Sequence, residues 1–241
     1  MRVSVLVACT LLAANDADAV TLTPFSSASG AELPAPWRVT AVPTVERQTK
    51  YSVVRIDGRV AVKAQADASN ANLLHPVQAD IGATPILRFS WRVDRLPPNS
   101  NLTSKDGDDA AAKVCVLFDL PLDRLSFADR MQMQVARRLF DPQLPTATLC
   151  YVWDRTLPRE TWLSNAYTNR VRMLVLRSAA AGDRGAWLSE QRDLRADFVR
   201  AFGTEAAGAM PPVVAIAFAS DADNTGSSAL SYLADITLAA E

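Results

Sequence analysis

Short runs in which apolar and polar residues alternate recur along the chain, and they predict a protein built mainly from β-strands. In the run ILRFSWRVD, Arg88, Ser90 and Arg92 point to one side and the apolar residues between them to the other. The dipeptide Asp57-Gly58 joins two such runs, and it is a strong signal for a β-hairpin. Further strands are predicted at Ala112–Asp119, Thr148–Trp153, Arg170–Arg177, Val213–Ala219 and Ala234–Ala239.

Two segments have the spacing of a helix instead. The segment SFADRMQMQVARRLF begins with Ser126 and Asp129 at the spacing of a capping box, and DLRADFVRAFG ends at Gly203. The first helix carries an apolar stripe that we expect to face the core: Phe127, Met131, Val135 and Leu139. Short strands, polar turns and few helices predict an all-β fold, an antiparallel β-sandwich of the jelly-roll type with one or two peripheral helices.

The N-terminal residues have the features of an export signal. Arg2 precedes a short apolar stretch, Val3–Ala14, and Ala17-Asp18-Ala19 matches an A-x-A cleavage site. The stretch is too short to span a bilayer, which takes about 20 apolar residues. We therefore predict a signal peptide over residues 1–19 and a single β-sandwich domain over residues 20–241, exported to the periplasm or secreted.

The charge of the chain argues against nucleic acid as a partner. The whole chain has a formal net charge of −1, and the predicted signal peptide carries Arg2, Asp16 and Asp18, so the mature chain is formally neutral. A neutral chain has no overall field that would attract nucleic acid or an anionic membrane. No later segment is long and apolar enough for a membrane span, so we expect none.

Two cysteines remain after export. Cys115 and Cys150 each lie inside an apolar run typical of a strand. An oxidising compartment permits a disulfide between them. The alternative is a pair of buried free thiols that pack as small apolar groups. The sequence leaves both open, because a disulfide requires Cα atoms within about 7 Å of each other.

Residue types and motifs that the chain lacks exclude several classes of active site. His75 is the single histidine, so the common catalytic zinc sites, which use two or three histidines, are excluded. The sequence also has no G-x-S-x-G motif and no glycine-rich phosphate loop. We expect a structural or exposed role for His75, and we assign no catalytic residue.

Oxygen-bearing side chains are concentrated after one predicted strand. The stretch Asp221-Ala-Asp223-Asn224-Thr225-Gly226 matches the first half of a calcium loop, although the twelfth position, where a bidentate acid is expected, is Tyr232. The predicted calcium ligands are Asp221, Asp223, Thr225 and, from further along the chain, Asp235. An Asx turn uses the same residue types without a metal and is the alternative.

A second acidic stretch, Asp106-Gly107-Asp108-Asp109, precedes another predicted strand, and either an exposed loop or a site shared with the first stretch would explain it. Aromatic and charged residues add candidates, because sugars stack on rings and bond to charged groups. The predicted ligand-binding residues are Asp106, Asp108, Asp109, Trp153, Arg172, Arg177, Trp187, Glu190, Asp221, Asp223 and Asn224. For Trp153 the alternative is a place in the core, and for the arginines it is a solvated face.

Several stretches together resemble a known family. They include LRFSWRVDRLP, KDGDDAAAKVCVLFD, LCYVWD and VAIAFASDADNTGSSALSYLADI. In this order they resemble domain-of-unknown-function family 3047, a set of exported bacterial proteins, from about Phe25 to Leu238. The D-G-D-D and D-x-D-N-T stretches are the most specific marks. The resemblance implies export but no particular activity.

The two ends of the chain resemble jelly-roll carbohydrate-binding modules. Phe25, Gly30 and Trp37 near the start and YLADITL near the end carry this likeness. It implies a sandwich whose ends are tied together by a structural calcium, with Asp235 as a ligand.

The sequence therefore predicts an exported binding protein for a carbohydrate-like or anionic glycan ligand, with calcium as its cofactor if it has one. One alternative is a glycan-acting enzyme, a hydrolase or lyase, that uses the Asp clusters. A further alternative is an envelope protein that binds another protein through a sheet face.

Overall fold

The structure is a computed structural model that describes residues 20, 22–41, 45–139, 142 and 144–240. The predicted signal peptide lies outside the described residues. The strands that these residues form are β1 (Arg38–Ala41), β2 (Lys50–Ile56), β3 (Arg59–Asp67), β4 (Asn70–Ala79), β5 (Ile86–Arg95), β6 (Ala112–Phe118), β7 (Ala147–Asp154), β8 (Trp162–Ser164), β9 (Val171–Ser178), β10 (Leu188–Asp193), β11 (Val213–Asp221), β12 (Ser228–Leu233) and β13 (Thr237–Ala239). The α-helices are α1 (Phe127–Leu139) and α2 (Leu194–Phe202). Neither has the length and apolar character that crossing a membrane requires.

The strands form two sheets, which confirms the predicted all-β sandwich. Seven strands follow the order β1-β4-β11-β6-β7-β9-β8, and six form the second sheet in the order β10-β5-β12-β3-β2, with β13 paired to β5. Most neighbours are antiparallel, as predicted, and β7 and β9 form a parallel pair. The long connection over residues 155–170 makes this possible, because parallel neighbours need a crossover.

The predicted hairpin joins β2 and β3. Asp57 and Gly58 both have positive φ angles, 49° and 77°. Two consecutive residues in this conformation are what a two-residue type I′ turn needs, and its twist matches that of the strands. The dipeptide thereby fixes the register of β2 and β3, with Ile56 opposite Arg59.

The core lies between the two sheets and is rich in aromatic rings. Trp91 on β5 packs edge-on against Trp153 on β7, with ring centroids 5.4 Å apart. Both indoles are fully buried. Trp153, predicted as a ligand-binding residue, is therefore a core residue, because its strand turns it towards the second sheet. Such packing accounts for much of the stability of a sandwich, since each ring removes a large apolar area from water.

Helix α1 begins as predicted but faces the opposite way. Its cap forms, because the amide of Asp129 donates to Ser126 Oγ at 3.1 Å. The apolar stripe expected in the core is exposed instead: Phe127, Met131, Val135 and Leu139. The arginines hold the helix to the body, since Arg130 donates to the carbonyl of Leu122 and Arg137 to that of Leu144. The long side chains of Arg130 and Arg137 thus determine which face of α1 packs against the rest of the protein.

Candidate functional site

The outer face of the seven-stranded sheet forms a cleft of about 530 Å³. Its floor comes from alternate residues of five adjacent strands, because every second side chain of a strand points away from the core. On β6, for example, Val114 and Val116 belong to the core, whereas Lys113 and Cys115 face the cleft. The other floor residues are Asn70, Asn72, Leu74, Leu117, Thr148, Cys150, Val171, Met173, Ala217 and Ala219.

A disulfide lies in the middle of the floor. Cys115 and Cys150 are directly opposite each other on β6 and β7, and their sulfurs are bonded at 2.05 Å. Of the two alternatives that the sequence left open, the structure has the disulfide. It packs with Met173 and Ala217, so this part of the cleft floor is apolar.

Three loops meet at one end of the cleft and make that end polar. Asn224 Nδ2 donates to the carbonyl of Lys105 and to the hydroxyl of Tyr167, both at 2.8 Å. The Tyr167 hydroxyl in turn donates to the same carbonyl at 3.1 Å. These bonds join the loop before β6, the loop before β9 and the loop after β11. We call this the polar end, defined by Asp108, Lys113, Asn165, Tyr167, Asp221, Asp223 and Asn224.

The glycine of the D-G-D-D stretch explains how the first loop reaches the cleft. A Cβ at Gly107 would lie 2.8 Å from the backbone nitrogen of Asn101, closer than side-chain carbons approach in practice. The chain therefore folds back on itself here, and the amide of Asn101 donates to the carbonyl of Gly107 at 2.7 Å. This turn directs Asp108 and Asp109 inward, and both are buried.

Lys113 and Asp221 form a buried ion pair. Lys113 Nζ lies 2.5 Å from Asp221 Oδ2, and the other oxygen of Asp221 accepts from the amide of Ala110 at 2.7 Å. Burial raises the pKa of Asp221 to about 6, against the opposing effect of Lys113. Burial alone would lower the pKa of Lys113, but nearby carboxylates, Asp221 first, outweigh it and raise that pKa. Both groups are therefore charged at neutral pH.

Asp109 links the two acidic stretches. Its Oδ1 accepts from the amide of Asn224 at 3.1 Å, and its Oδ2 accepts from the amide and hydroxyl of Thr225 at 2.8 and 2.5 Å. The D-G-D-D and D-x-D-N-T stretches therefore meet in space. Carboxylate oxygens of Asp109, Asp221 and Asp223 lie within 4.8 Å of one another, so this Asp cluster could hold a metal ion.

Two carboxylate oxygens at the polar end are buried without a partner. Asp108 is 7% exposed, and its Oδ2 accepts from Asn165 Nδ2 at 2.5 Å. Within the described part of the chain, neither Asp108 Oδ1 nor Asp223 Oδ1 has a hydrogen-bond partner. Burial raises the pKa of Asp108, although Lys113 and Asn165 act against it. A buried acceptor without a donor is costly, so these oxygens are suited to a ligand.

Other predicted ligand-binding residues lie away from the cleft. Arg177 and Glu190 form an ion pair at 2.6 Å that joins β9 to β10 across the two sheets, and Glu190 also accepts from Trp91 Nε1. Arg172 donates to the hydroxyl of Ser164. Trp187 lies under the guanidinium of Arg59. These four predicted residues therefore do not line the cleft.

Asp106 and Asp235 are also outside the cleft. Asp106 is exposed beside Gly107. Asp235 accepts from the amide and the hydroxyl of Ser26, at 3.0 and 2.5 Å. These bonds tie the two ends of the chain together, a role predicted from the sequence for a calcium with Asp235 as a ligand. Asp235 is not part of the Asp cluster, whose third member is Asp109.

His75 has a structural role, as expected. It is buried on β4, and its Nε2 accepts from the amide of Thr23 at 3.1 Å. Its ring packs edge-on against Trp37, with centroids 4.9 Å apart. Burial lowers the pKa of His75, so the neutral imidazole is the form that anchors the N-terminal segment.

Some residues of the cleft were not predicted from sequence. Asn70 and Asn72 alternate on β4, a strand that was not predicted, and Asn165 lies in a loop without a motif. Lys113 gave the clearest signal, because it is the single charged residue in the strand AKVCVLF. An isolated charge within an apolar strand indicates a partner or a site.

Two solved structures are similar to this chain at low identity. The K2 cleaved adhesin domain of Lys-gingipain (Kgp) is 12% identical, with a TM-score of 0.38, over 89% of this chain and 96% of that one. Endoglucanase 3 of Trichoderma harzianum, from family GH12, is 7% identical, with a TM-score of 0.40, over 87% of this chain and 100% of that one. No curated protein matches.

A family model covers most of the chain. The model described as protein of unknown function (DUF3047) matches residues 35–237. The match includes both acidic stretches and the strands that carry the cleft. The chain therefore belongs to the DUF3047 family.

Proposed function

We propose that the protein is an exported binding protein whose cleft holds a small carbohydrate-like ligand. The observation that carries the proposal is the cleft itself, which combines an apolar floor with polar groups that converge at one end. Ligand sites are typically concave, mostly apolar, and equipped with a few well-placed polar groups. The main core of the sandwich lies on the other side of the sheet, and the cleft floor forms a smaller apolar cluster of its own.

The groups of the cleft match the surface of a sugar. Leu74, Leu117 and Val171 are half-buried and offer an apolar floor to C–H groups. The amide side chains have capacity left for hydroxyls: Asn224 Oδ1 can accept a hydrogen bond, and the second hydrogen of Asn165 Nδ2 can be donated. The ring of Tyr167 is 57% exposed at the rim and can stack on a sugar face.

The charge of the polar end argues against the anionic glycan. Four carboxylates converge there, from Asp108, Asp109, Asp221 and Asp223, and Lys113 is the one cation that lines the cleft among the described residues. An acidic sugar would meet net repulsion. The predicted arginines that would have favoured it, Arg172 and Arg177, lie elsewhere. We therefore propose a ligand that is neutral or positively charged.

The spacing of the carboxylates in the Asp cluster supports the predicted calcium, but the hydrogen bonds that they already accept oppose it. Calcium takes six to eight oxygen ligands, and the three carboxylates are close enough to share an ion. However, both oxygens of Asp109 and of Asp221 already accept hydrogen bonds. Lys113 also supplies a positive charge beside Asp221. We propose that Lys113 stabilises the cluster and that the polar end needs no calcium to fold.

One observation favours an enzyme as a second candidate. Burial raises the pKa of Asp108, and a carboxyl with a raised pKa is what a general acid requires. Asp223 could be its partner, since glycoside hydrolysis uses two carboxyl groups. The two candidates differ in outcome, because an enzyme would cleave its ligand and a binding protein would return it intact.

A screen on an oligosaccharide array tests the proposal. We expect the mature protein to bind at least one neutral or amine-bearing oligosaccharide and to lose that binding in Thr148→Trp, because an indole on the floor would fill the cleft. Thr237→Trp is the matched control, since Thr237 is exposed on the other sheet, at β13. Equal binding by both variants would contradict the cleft as the site. Mass spectrometry of the recovered oligosaccharide would identify cleavage and so the enzyme.

A further inference from the structure

We propose that the polar end of the cleft recognises a protonated amine on the ligand, held between Asp108 and Asp223, so that the ligand class is an amino sugar with a free amine. This inference rests on the proposed function and specifies its ligand. It starts from Asp108, which lines the cleft, is 7% exposed and has one oxygen without a partner among the described residues.

The charges at the polar end are not balanced by the protein. Lys113 neutralises Asp221 at 2.5 Å. Asp109 is stabilised by two backbone amides and a hydroxyl. Asp108 receives one side-chain amide on one oxygen only, and Asp223 Oδ1 receives no donor within the described chain. One buried oxygen of Asp108 and one of Asp223 therefore lack a donor, and a bound ammonium group would supply it.

An ammonium group fits this place better than a metal ion. It has three donors, which suits two free carboxylate oxygens and one further acceptor. The neighbouring Lys113 already shows that an ammonium can sit against a carboxylate of this cluster. A calcium ion would need six or more oxygens, but those of Asp109 and Asp221 are engaged in hydrogen bonds.

The groups around the two carboxylates suit a sugar that carries the amine. Asn165 bonds to Asp108, and Asn224 lies next to Asp223 with its side chain in contact with Tyr167. Their amides and the phenol hydroxyl can bond to the hydroxyls next to a sugar amine. The apolar floor extends from the polar end, so further sugar units could lie along it.

The test compares two oligosaccharides that differ in charge. We would titrate the mature protein with a glucosamine tetramer and with its N-acetylated counterpart, by calorimetry at about pH 6. This low pH keeps the sugar amines protonated, because the oxygens next to them lower their pKa below that of a lysine ammonium. We expect the charged tetramer to bind roughly tenfold more tightly or better, because hydrogen bonds between charged groups are stronger than those between neutral ones. Asp108→Asn and Asp223→Asn should remove that preference. Asp106→Asn, which changes an exposed acid in the same loop, should keep it.

Each other outcome overturns a definite part of the account. Equal binding of both tetramers would overturn recognition of the amine and leave the proposed function intact. Binding of neither tetramer, together with a blank oligosaccharide array, would overturn both. A saturable calcium titration that Asp108→Asn and Asp223→Asn both abolish would assign the carboxylates to a metal and overturn the amine. Circular dichroism of each variant checks that it has folded.

Discussion

Replacing Lys113 by Met should lower the free energy of unfolding by about 3–5 kcal/mol at about pH 8, the usual cost of leaving one member of a buried ion pair unpaired. The side chain of Asp221 is only 3% exposed and that of Lys113 14% exposed, so water can do little to stabilise a charge left unpaired. Methionine keeps the length and apolar stem of lysine, so the change removes mainly the charge. Urea unfolding followed by fluorescence would measure the loss.

This loss should depend on pH in a definite direction. Burial raises the pKa of Asp221 to about 6 in the folded protein. The protonated acid is thus favoured by folding, and this contribution is present below about pH 4 and is lost as the pH rises through 6. Without Lys113 the pKa of Asp221 would rise further. The difference between the two proteins should therefore be small at about pH 4 and largest at about pH 8.

Two variants serve as controls for the ion pair. The double variant Lys113→Met/Asp221→Asn should recover most of the loss, because it leaves no unpaired charge. Lys105→Met should cost about 1 kcal/mol or less, since Lys105 is exposed and its ammonium contacts only the ring of Tyr167 at 5.2 Å among the contacts described. A loss in Lys113→Met that did not change with pH would contradict the ion pair.

Breaking the disulfide between Cys115 and Cys150 should cost about 3–4 kcal/mol. The two residues are 35 positions apart. A crosslink that closes a loop of this length lowers the conformational entropy of the unfolded chain, which raises its free energy by about 3–4 kcal/mol. The measurement is the urea unfolding midpoint of the mature protein with and without a reductant. The seven-stranded sheet should persist after reduction, because β6 and β7 remain paired by their backbone bonds.

The variant Cys115→Ala/Cys150→Ala is the control for this experiment. Its stability should resemble that of the reduced protein, and a reductant should not change it further. Cys9, the third cysteine, lies in the predicted signal peptide and is absent after cleavage. An unfolding midpoint that was the same with and without reductant, with the thiols shown to be free, would contradict a stabilising crosslink.

The strongly periodic strands could be predicted from the sequence, and the atypical ones could not. β5 alternates and is bounded by turns, so its burial follows its pattern. β4 contains Pro76, and a proline inside a run is atypical of a strand. The structure accommodates Pro76 because β1 pairs with residues 71–74, so that among the described residues no strand pairs with the proline on that side. β10, LSEQRD, is largely polar and lies at the end of its sheet.

Helix α1 shows a limit of periodicity. Its apolar stripe predicted a buried face, but hydrophobic spacing does not say which side meets the protein. Arg130 and Arg137 reach backbone carbonyls of the body, and these contacts are not visible in a pattern of apolar residues. Met133 is the one buried residue of this helix in the described structure.

The two acidic stretches of the site could be identified from the sequence, but their meeting in space could not. Asp109 precedes β6 and Asp221 ends β11, and antiparallel neighbours bring the start of one strand beside the end of the other. The pairing of β6 with β11 depends on the tertiary fold, so from the sequence a shared site was only one of two alternatives. Arg172, Arg177 and Glu190 carried the right chemistry, but they are engaged elsewhere.

The most direct test of the cleft as the ligand site uses the methionine methyl groups. Met173 lies in the floor of the cleft, Met131 and Met133 lie on α1, and Met210 lines a different hollow. In a protein labelled with ¹³C at these methyl groups, we expect the glucosamine tetramer to shift the resonance of Met173 and to leave the other three unchanged. A titration that shifted Met131, Met133 or Met210 while Met173 stayed constant would contradict the account.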